Sequence, residues 1–268
     1  NSQPWKFSVR DSEILIFPVL ERALPVSDPD QRLLYFTFGC VIENILIAGD
    51  YYGYQTTIEY FPPTTVEAAA KISFATAPRL SENSKENHLI FAIPKRRTNR
   101  SSYTSQMPEK GLISLFENLR VDTAAVRLVL DSGTQKTIAN ILMESRIKAF
   151  GSKLFRGELV RYKRTNLTKS PLGMPGFTMG FSTLFSLVAP LVIRHINVMR
   201  FIKNQEEKLL TEHTPIFGFI ITEKDSKIDW LKAGRVFERV ALEAEHRNIQ
   251  TAISAISPQA REQLKETL

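Results

Sequence analysis

The feature that most limits how this chain can fold is a repeat: a helix-then-strand pattern occurs twice, at a constant offset of 195 residues from Gly39 to Gly234. Gly39, Val41 and Glu43 correspond to Gly234, Val236 and Glu238. Further along, Gln55, Thr56 and Ile58 correspond to Gln250, Thr251 and Ile253, with Ala48 and Ala244 out of step by one residue. Each copy has an acidic lead-in (Asp28 and Asp30; Asp225 and Asp229), an apolar period of three to four residues, and a closing β-branched run. Two amphipathic helices can look alike by chance, but the recurring spacing from Glu43 to Gln55 and from Glu238 to Gln250 favours duplication.

Around the two copies the patterning is α+β. Strands are expected at Trp5–Val9, Glu13–Phe17, Gln55–Phe61, Lys71–Ala75, Ala125–Leu130, Ile216–Thr222 and Ile249–Ala255. Helices are expected at Asp30–Tyr51, Lys110–Leu119, Thr134–Phe150, Phe155–Thr165, Phe181–Asn204 and Ser226–Arg247. Pro62-Pro63 and the polar stretch 79–88 read as loops, and the latter divides the chain into halves at 1–90 and 91–268 that pack as one body.

Composition narrows the chemistry. The 268 residues are 43% hydrophobic and 24% charged, which rules out a wholly disordered, collagen-like or coiled-coil chain. Lys and Arg number 35 against 28 acids, a formal +7 that favours anionic ligands. One cysteine, Cys40, leaves no internal disulfide, and His88, His195, His213 and His246 are too scattered to read as a metal site. Residues 170–193 carry no charge, enough to cross a bilayer by length alone. Pro171, Gly173, Pro175, Gly176 and Gly180 break the first half, so the expectation is a loop followed by a core or lid helix, with no stable membrane span. The chain opens on Asn1 with neither Met nor signal peptide and reads as trimmed; a cytoplasmic location is expected, with an export signal ahead of Asn1 left open.

Two segments are suited to binding. Lys95-Arg96-Arg97-Thr98-Asn99-Arg100 gathers three guanidiniums, a hydroxyl and an amide, the donors a phosphate monoester takes, and a helix opening here would add backbone N–H groups. A solvated basic loop is the plain alternative, and nucleic-acid binding is not expected, because no second basic run with interleaved aromatics accompanies it. Asn1-Ser2-Gln3-Pro4-Trp5-Lys6-Phe7 is a polar turn entering a strand; its amides can meet the donor and acceptor edge of a planar heterocycle while Trp5 anchors the turn.

Together these runs and the two Gly-x-x-x-Glu helices resemble the nitroreductase family of FMN enzymes, and across nearly the whole chain the Acg-like branch, in which two nitroreductase-like halves are fused. Tyr103, Pro108, the segments 155–168 and 173–177, and Thr214-Pro-Ile-Phe-Gly-Phe-Ile-Ile-Thr222 have the look of that branch. The resemblance implies a nitroreductase-like fold of two pseudo-symmetric halves imitating the family's homodimer: a monomer acting as its own pseudo-dimer, with Glu43 and Glu238 on the two central helices. It implies one FMN per chain, held by Arg96, Arg97, Thr98, Asn99 and Arg100 from one half and by Asn1, Ser2 and Gln3 from the other, with Ser254 and Ala255 passing near the reactive flavin nitrogen. It implies no catalytic acid or base and no metal, and a lid near 170–204. A basic phosphate contact that the family carries further on has only Arg261 and Lys265 as nearby candidates.

The function so implied is transfer of reducing equivalents from NAD(P)H through FMN to a small electron-poor acceptor, a nitroaromatic or a quinone. The competing readings are a lidded flavin-binding protein that sequesters FMN with little reductase activity, and a basic interaction or membrane-surface module without flavin.

Overall fold

The computed structural model describes residues 3–76, 87–99, 101–104, 106–254 and 258–267. Helix and sheet are mixed, as α+β patterning requires. A four-stranded antiparallel sheet of order β1-β2-β4-β3 is built from β1 (Trp5–Arg10), β2 (Glu13–Pro18), β3 (Tyr54–Tyr60) and β4 (Ala70–Thr76). Its inner side packs on α1 (Arg32–Tyr51) through Ile16, Ile72, Phe38 and Ile42, and Trp5 joins that core. A three-stranded antiparallel sheet of order β5-β6-β9 follows, from β5 (Arg120–Val121), β6 (Ala124–Val129) and β9 (Phe217–Ile221), with α2 (Lys110–Glu117) leading into it. That sheet packs on α7 (Lys227–His246) through Val121, Ala124, Val126 and Val236. A further core around Val129, Ile138, Leu142, Met199, Leu210 and Leu264 brings in α3 (Ser132–Gly151), α6 (Met199–Thr211) and α8 (Pro258–Thr267).

The two repeated helices, α1 and α7, lie against each other between the two sheets. Their backbones touch where both lack a side chain: a Cβ on Gly39 would sit 2.0 Å from the Leu231 carbonyl oxygen, and one on Gly234 would sit 1.9 Å from that of Phe36. The two clashes are reciprocal, since 36 and 231 differ by the same 195 residues as 39 and 234. Other contacts repeat in the same way. Arg32 stands over the Trp230 ring and Lys227 over the Tyr35 ring, each at 4.9 Å, while those two rings meet at 6.3 Å. Asn44 donates to Glu238, and Arg239 donates to Glu43.

Two expectations need correction, and one helix is additional to them. The helix expected over Phe181–Asn204 is two helices, α5 (Thr183–His195) and α6, turned 102° from each other. Ile196 takes extended backbone at the break, and the Asn197 side chain accepts from the Met199 N–H at 3.2 Å, starting a new helix instead of extending the old one. The expected strand over Ile249–Ala255 is reduced, among its described residues, to one parallel bridge between Thr251 and Thr98. Asn248, at φ 57, turns the chain sharply at the end of α7 and sends it past the arginine run instead of along a sheet edge. Helix α8 was absent from the sequence reading, although Pro258 at its first position and buried Ala260 and Leu264 are its signals.

The remaining short elements are α4 (Lys153–Arg161), β7 (Lys163–Arg164) and β8 (Met174–Pro175). Gly173, at φ 108, has Tyr162 O only 2.6 Å from where a Cβ would stand, and the next N–H, of Met174, donates to that oxygen at 2.7 Å. The uncharged loop is thereby pinned to the end of α4.

Gly39→Ala and Gly234→Ala should each destabilise the protein by about 1–3 kcal/mol or more, since the blocking atoms are backbone and cannot swing aside. Urea titration followed by circular dichroism measures this; an unchanged midpoint for either variant would contradict the close approach.

Candidate functional site

The helix crossing carries charge in its interior. Glu43 has no exposed surface and accepts from Arg235 Nε at 2.9 Å and Arg239 Nε at 2.7 Å, while Arg235 Nη1 donates to the Tyr60 hydroxyl at 2.9 Å. Its acceptor capacity is spent on packing, which suits a structural role. Glu238, its counterpart, is supported differently: Asn44 Nδ2 donates to it at 3.1 Å and Arg96 Nε faces it at 3.2 Å. Burial pushes the Glu238 carboxyl above its ordinary value, with Arg96 and then Asn44 opposing, and burial together with Glu238 drives the Cys40 thiol well up, which disfavours the thiolate.

Arg96 opens the basic run, and the run is built onto α7. Leu89 and Ala92 are buried against Ile47 of α1 and Leu242 of α7, and Ala92 O accepts from the N–H groups of Lys95 and Arg96 at 3.0 and 2.8 Å. The chain then straightens. Thr98 bridges Thr251, the Asn99 N–H donates to Thr251 O at 2.9 Å, and Asn99 in turn accepts from Ser101 N–H through its side chain and from the Tyr103 hydroxyl through its carbonyl. Over its described residues the run is therefore extended and does not open a helix, so it supplies side chains and single N–H groups rather than a helix terminus. Arg97 and Thr98 are exposed, whereas Arg96 and Asn99 are half-buried.

The other candidate residues are held by other elements. Gln3 sits in left-handed backbone at φ 43, a conformation that costs a non-glycine residue free energy and marks a constrained turn; its carbonyl accepts from Arg22 Nη1 at 3.0 Å. Ser254 is exposed and accepts from Arg146 Nη2 at 3.2 Å. Asn1, Ser2, Arg100 and Ala255 lie outside the described residues. The structure thus brings the arginine run together with the segment after α7, and holds Gln3 separately. Arg261 is turned to Asp30 at 3.5 Å.

Two features had no sequence signal. Arg22 is a relay: it donates to Gln3, and its carbonyl accepts from the Tyr162 hydroxyl at 2.9 Å, so the N-terminal turn is tied to the end of α4 where the uncharged loop is pinned. A cavity of about 320 Å³ is lined by Ser102, by Asn204, Gln205 and Lys208 of α6 and by His213 just after it. A second cavity of about 430 Å³, between the first sheet and the start of α7, includes Tyr35, Phe61 and Lys227 in its lining and none of the candidate residues.

An α+β chain with an arginine run docked on a central helix pair is the setting in which comparison with known proteins becomes informative. No family profile matches the chain. "Putative NAD(P)H nitroreductase Rv3131" of Mycobacterium tuberculosis is 27% identical over 116 residues, covering 43% of this chain and 33% of that protein. "Putative NAD(P)H nitroreductase acg" of the same organism is 24% identical over 155 residues, covering 57% of this chain and 46% of that protein. The chain therefore spans a third to under a half of the relatives it matches. These distant similarities support the nitroreductase family.

Raised by burial, Glu238 binds its proton more tightly in the folded protein than in the unfolded chain, so its contribution to stability is greatest at and below its ordinary value of 4.5 and is lost as pH rises above it. Wild type should accordingly lose stability relative to Glu238→Gln as pH goes from 4 toward neutrality. Urea midpoints for the pair across that range provide the check; two parallel curves would contradict the shift.

Proposed function

We propose that this chain is the flavin-holding part of an FMN-dependent NAD(P)H oxidoreductase in which two halves of one polypeptide play the two subunits of a nitroreductase dimer. The observation that carries the proposal is the arginine run, fixed in extended form on the chain that follows α7, with Arg96 oriented by Glu238 and with Arg97 and Thr98 turned outward. The reciprocal contacts of α1 and α7 support the pseudo-twofold relation, because an isologous dimer interface pairs residues in that manner. The names of the two relatives support the oxidoreductase role and NAD(P)H as donor.

The donor set fits FMN. Guanidiniums at Arg96, Arg97 and Arg100 with the Thr98 hydroxyl and Asn99 amide suit a phosphate and a pyrimidine edge, and the extended backbone presents successive side chains with little freedom left to lose on binding. Asn1, Ser2 and Gln3 would complete the site from the other half, with Ser254 and Ala255 beside the ring. Bound FMN would supply the chemistry, accepting hydride from NAD(P)H and passing electrons to a small nitroaromatic or quinone-like acceptor. The chain's own residues would orient and desolvate, and no side chain is required as acid or base. The uncharged loop, tied through Tyr162 and Arg22 to Gln3, would serve as a lid, and that tie also favours the second reading, in which the lid keeps NAD(P)H out and FMN is sequestered.

FMN titration of the apoprotein tests the site. Arg97→Ala and Arg100→Ala should each weaken binding tenfold or more, since a charge-assisted hydrogen bond contributes about 1.5–3 kcal/mol. Unchanged titration curves for both would remove the phosphate assignment. Bleaching of the yellow protein by NADPH supports the reductase, whereas yellow protein that does not bleach supports sequestration.

A further inference from the structure

The formal charge of this protein has a single address. Residues 159–205 contain seven Lys and Arg and no acid, which leaves 28 cations against 28 acids in the rest of the chain. Among the described residues, the same segment holds the largest run of exposed apolar side chains. Helix α5 buries Ser186, Ala189 and Ile193 on its inner side, and on the opposite side Leu184, Leu187, Val188 and Leu191 recur at helical spacing and face outward, Leu184 at 80% and Leu191 at 65% exposure. Phe177 just before α5, and Ile196 and Phe201 just after it, are also exposed, Phe201 at 77%. Arg194, His195, Arg200 and Lys203 are interleaved with them and exposed.

We infer that this face docks on the surface of an anionic lipid bilayer, with the apolar ridge of α5 in the headgroup and upper acyl region and the neighbouring cations on lipid phosphates. An outward row of large aliphatic and aromatic residues bordered by Lys and Arg, with acid excluded over 47 residues (159–205), is the pattern of an interfacial helix. A second copy of the chain is a poor occupant, because it would set the exposed Arg194, Arg200 and Lys203 of one face against the same cations of another. Thirteen residues of α5 reach about 20 Å, short of a hydrocarbon core of about 30 Å, and α6 departs at 102°, so α5 suits lying in the interface better than crossing it. This inference stands on charge and exposure alone and is independent of the flavin reading.

Co-sedimentation of the protein with vesicles tests it, using phosphatidylcholine alone and phosphatidylcholine with about a third phosphatidylglycerol. The expected result is binding to the anionic vesicles that weakens with added salt, falls about fivefold for each of Arg194→Gln, Arg200→Gln and Lys203→Gln, and is lost in Leu184→Gln/Leu191→Gln. Since those leucines are exposed, the melt of the double variant should match wild type; should it fail to fold, the salt series and the cation variants still decide. No sedimentation with anionic vesicles at low salt overturns the proposal, as does binding indifferent to lipid charge. Wild type that runs as a dimer and does not bind vesicles, with a Leu184→Gln/Leu191→Gln variant that runs as a monomer, would assign the face to self-association instead.

Discussion

Everything in this structure depends on how closely α1 and α7 can approach. Gly39 and Gly234 remove the only atoms that would keep the two backbones apart, and each sheet is then fastened to its own member of the pair. The contact is not purely apolar, because Glu43 lies fully buried one turn beyond Gly39 with two arginines of α7 on its oxygens. A buried ion pair adds little net stability over a well-packed apolar pair, but losing one member leaves a charge stranded, so such pairs tolerate one arrangement and penalise others. Here the arrangement also sets register: Arg235 and Arg239, a helical turn apart, both reach Glu43 only when α7 sits at one height along α1.

The two halves of that polar layer are not equal, and the inequality determines where the arginine run can sit. At the positions corresponding to Arg235 and Arg239, α1 has Cys40 and Asn44, so Glu238 lacks the two guanidiniums that neutralise Glu43. The vacancy in charge is filled from outside the helix pair by Arg96. One asymmetry between the two matched helices thus holds a surface loop in place.

Much of this was legible in the sequence, for physical reasons that differ by element. The two long helices, six of the seven expected strands and the contact between the repeats follow from periodicity and from glycines and glutamates at matching positions, features in which local and tertiary preferences agree. The break at Ile196 was not legible, because apolar residues at helical spacing continue past Arg194 and His195 to Phe201, and only the bond from the Met199 N–H to the Asn197 side chain marks where a new helix starts. The loss of the strand after Asn248 was not legible either: its residues have strand propensity, but among the described residues they meet only the short extended stretch at Thr98 and Asn99, and propensity cannot report what lies alongside. For the site, residue types were readable and their mutual placement was not, since Arg96 meets Glu238 and Thr98 meets Thr251 through contacts more than a hundred residues apart in sequence.

The same pairing of α1 with α7 has a consequence for how the chain is made. A ribosome adding roughly 5–20 residues per second needs on the order of 10–40 seconds to pass from the first helix to its partner. During that interval α1, an apolar helix, has one flank on its own sheet and the other bare. The glycine-to-glycine contact closes only after the residues between α1 and α7 have been made, so for that interval α1 is a natural client for chaperones that shield apolar helices.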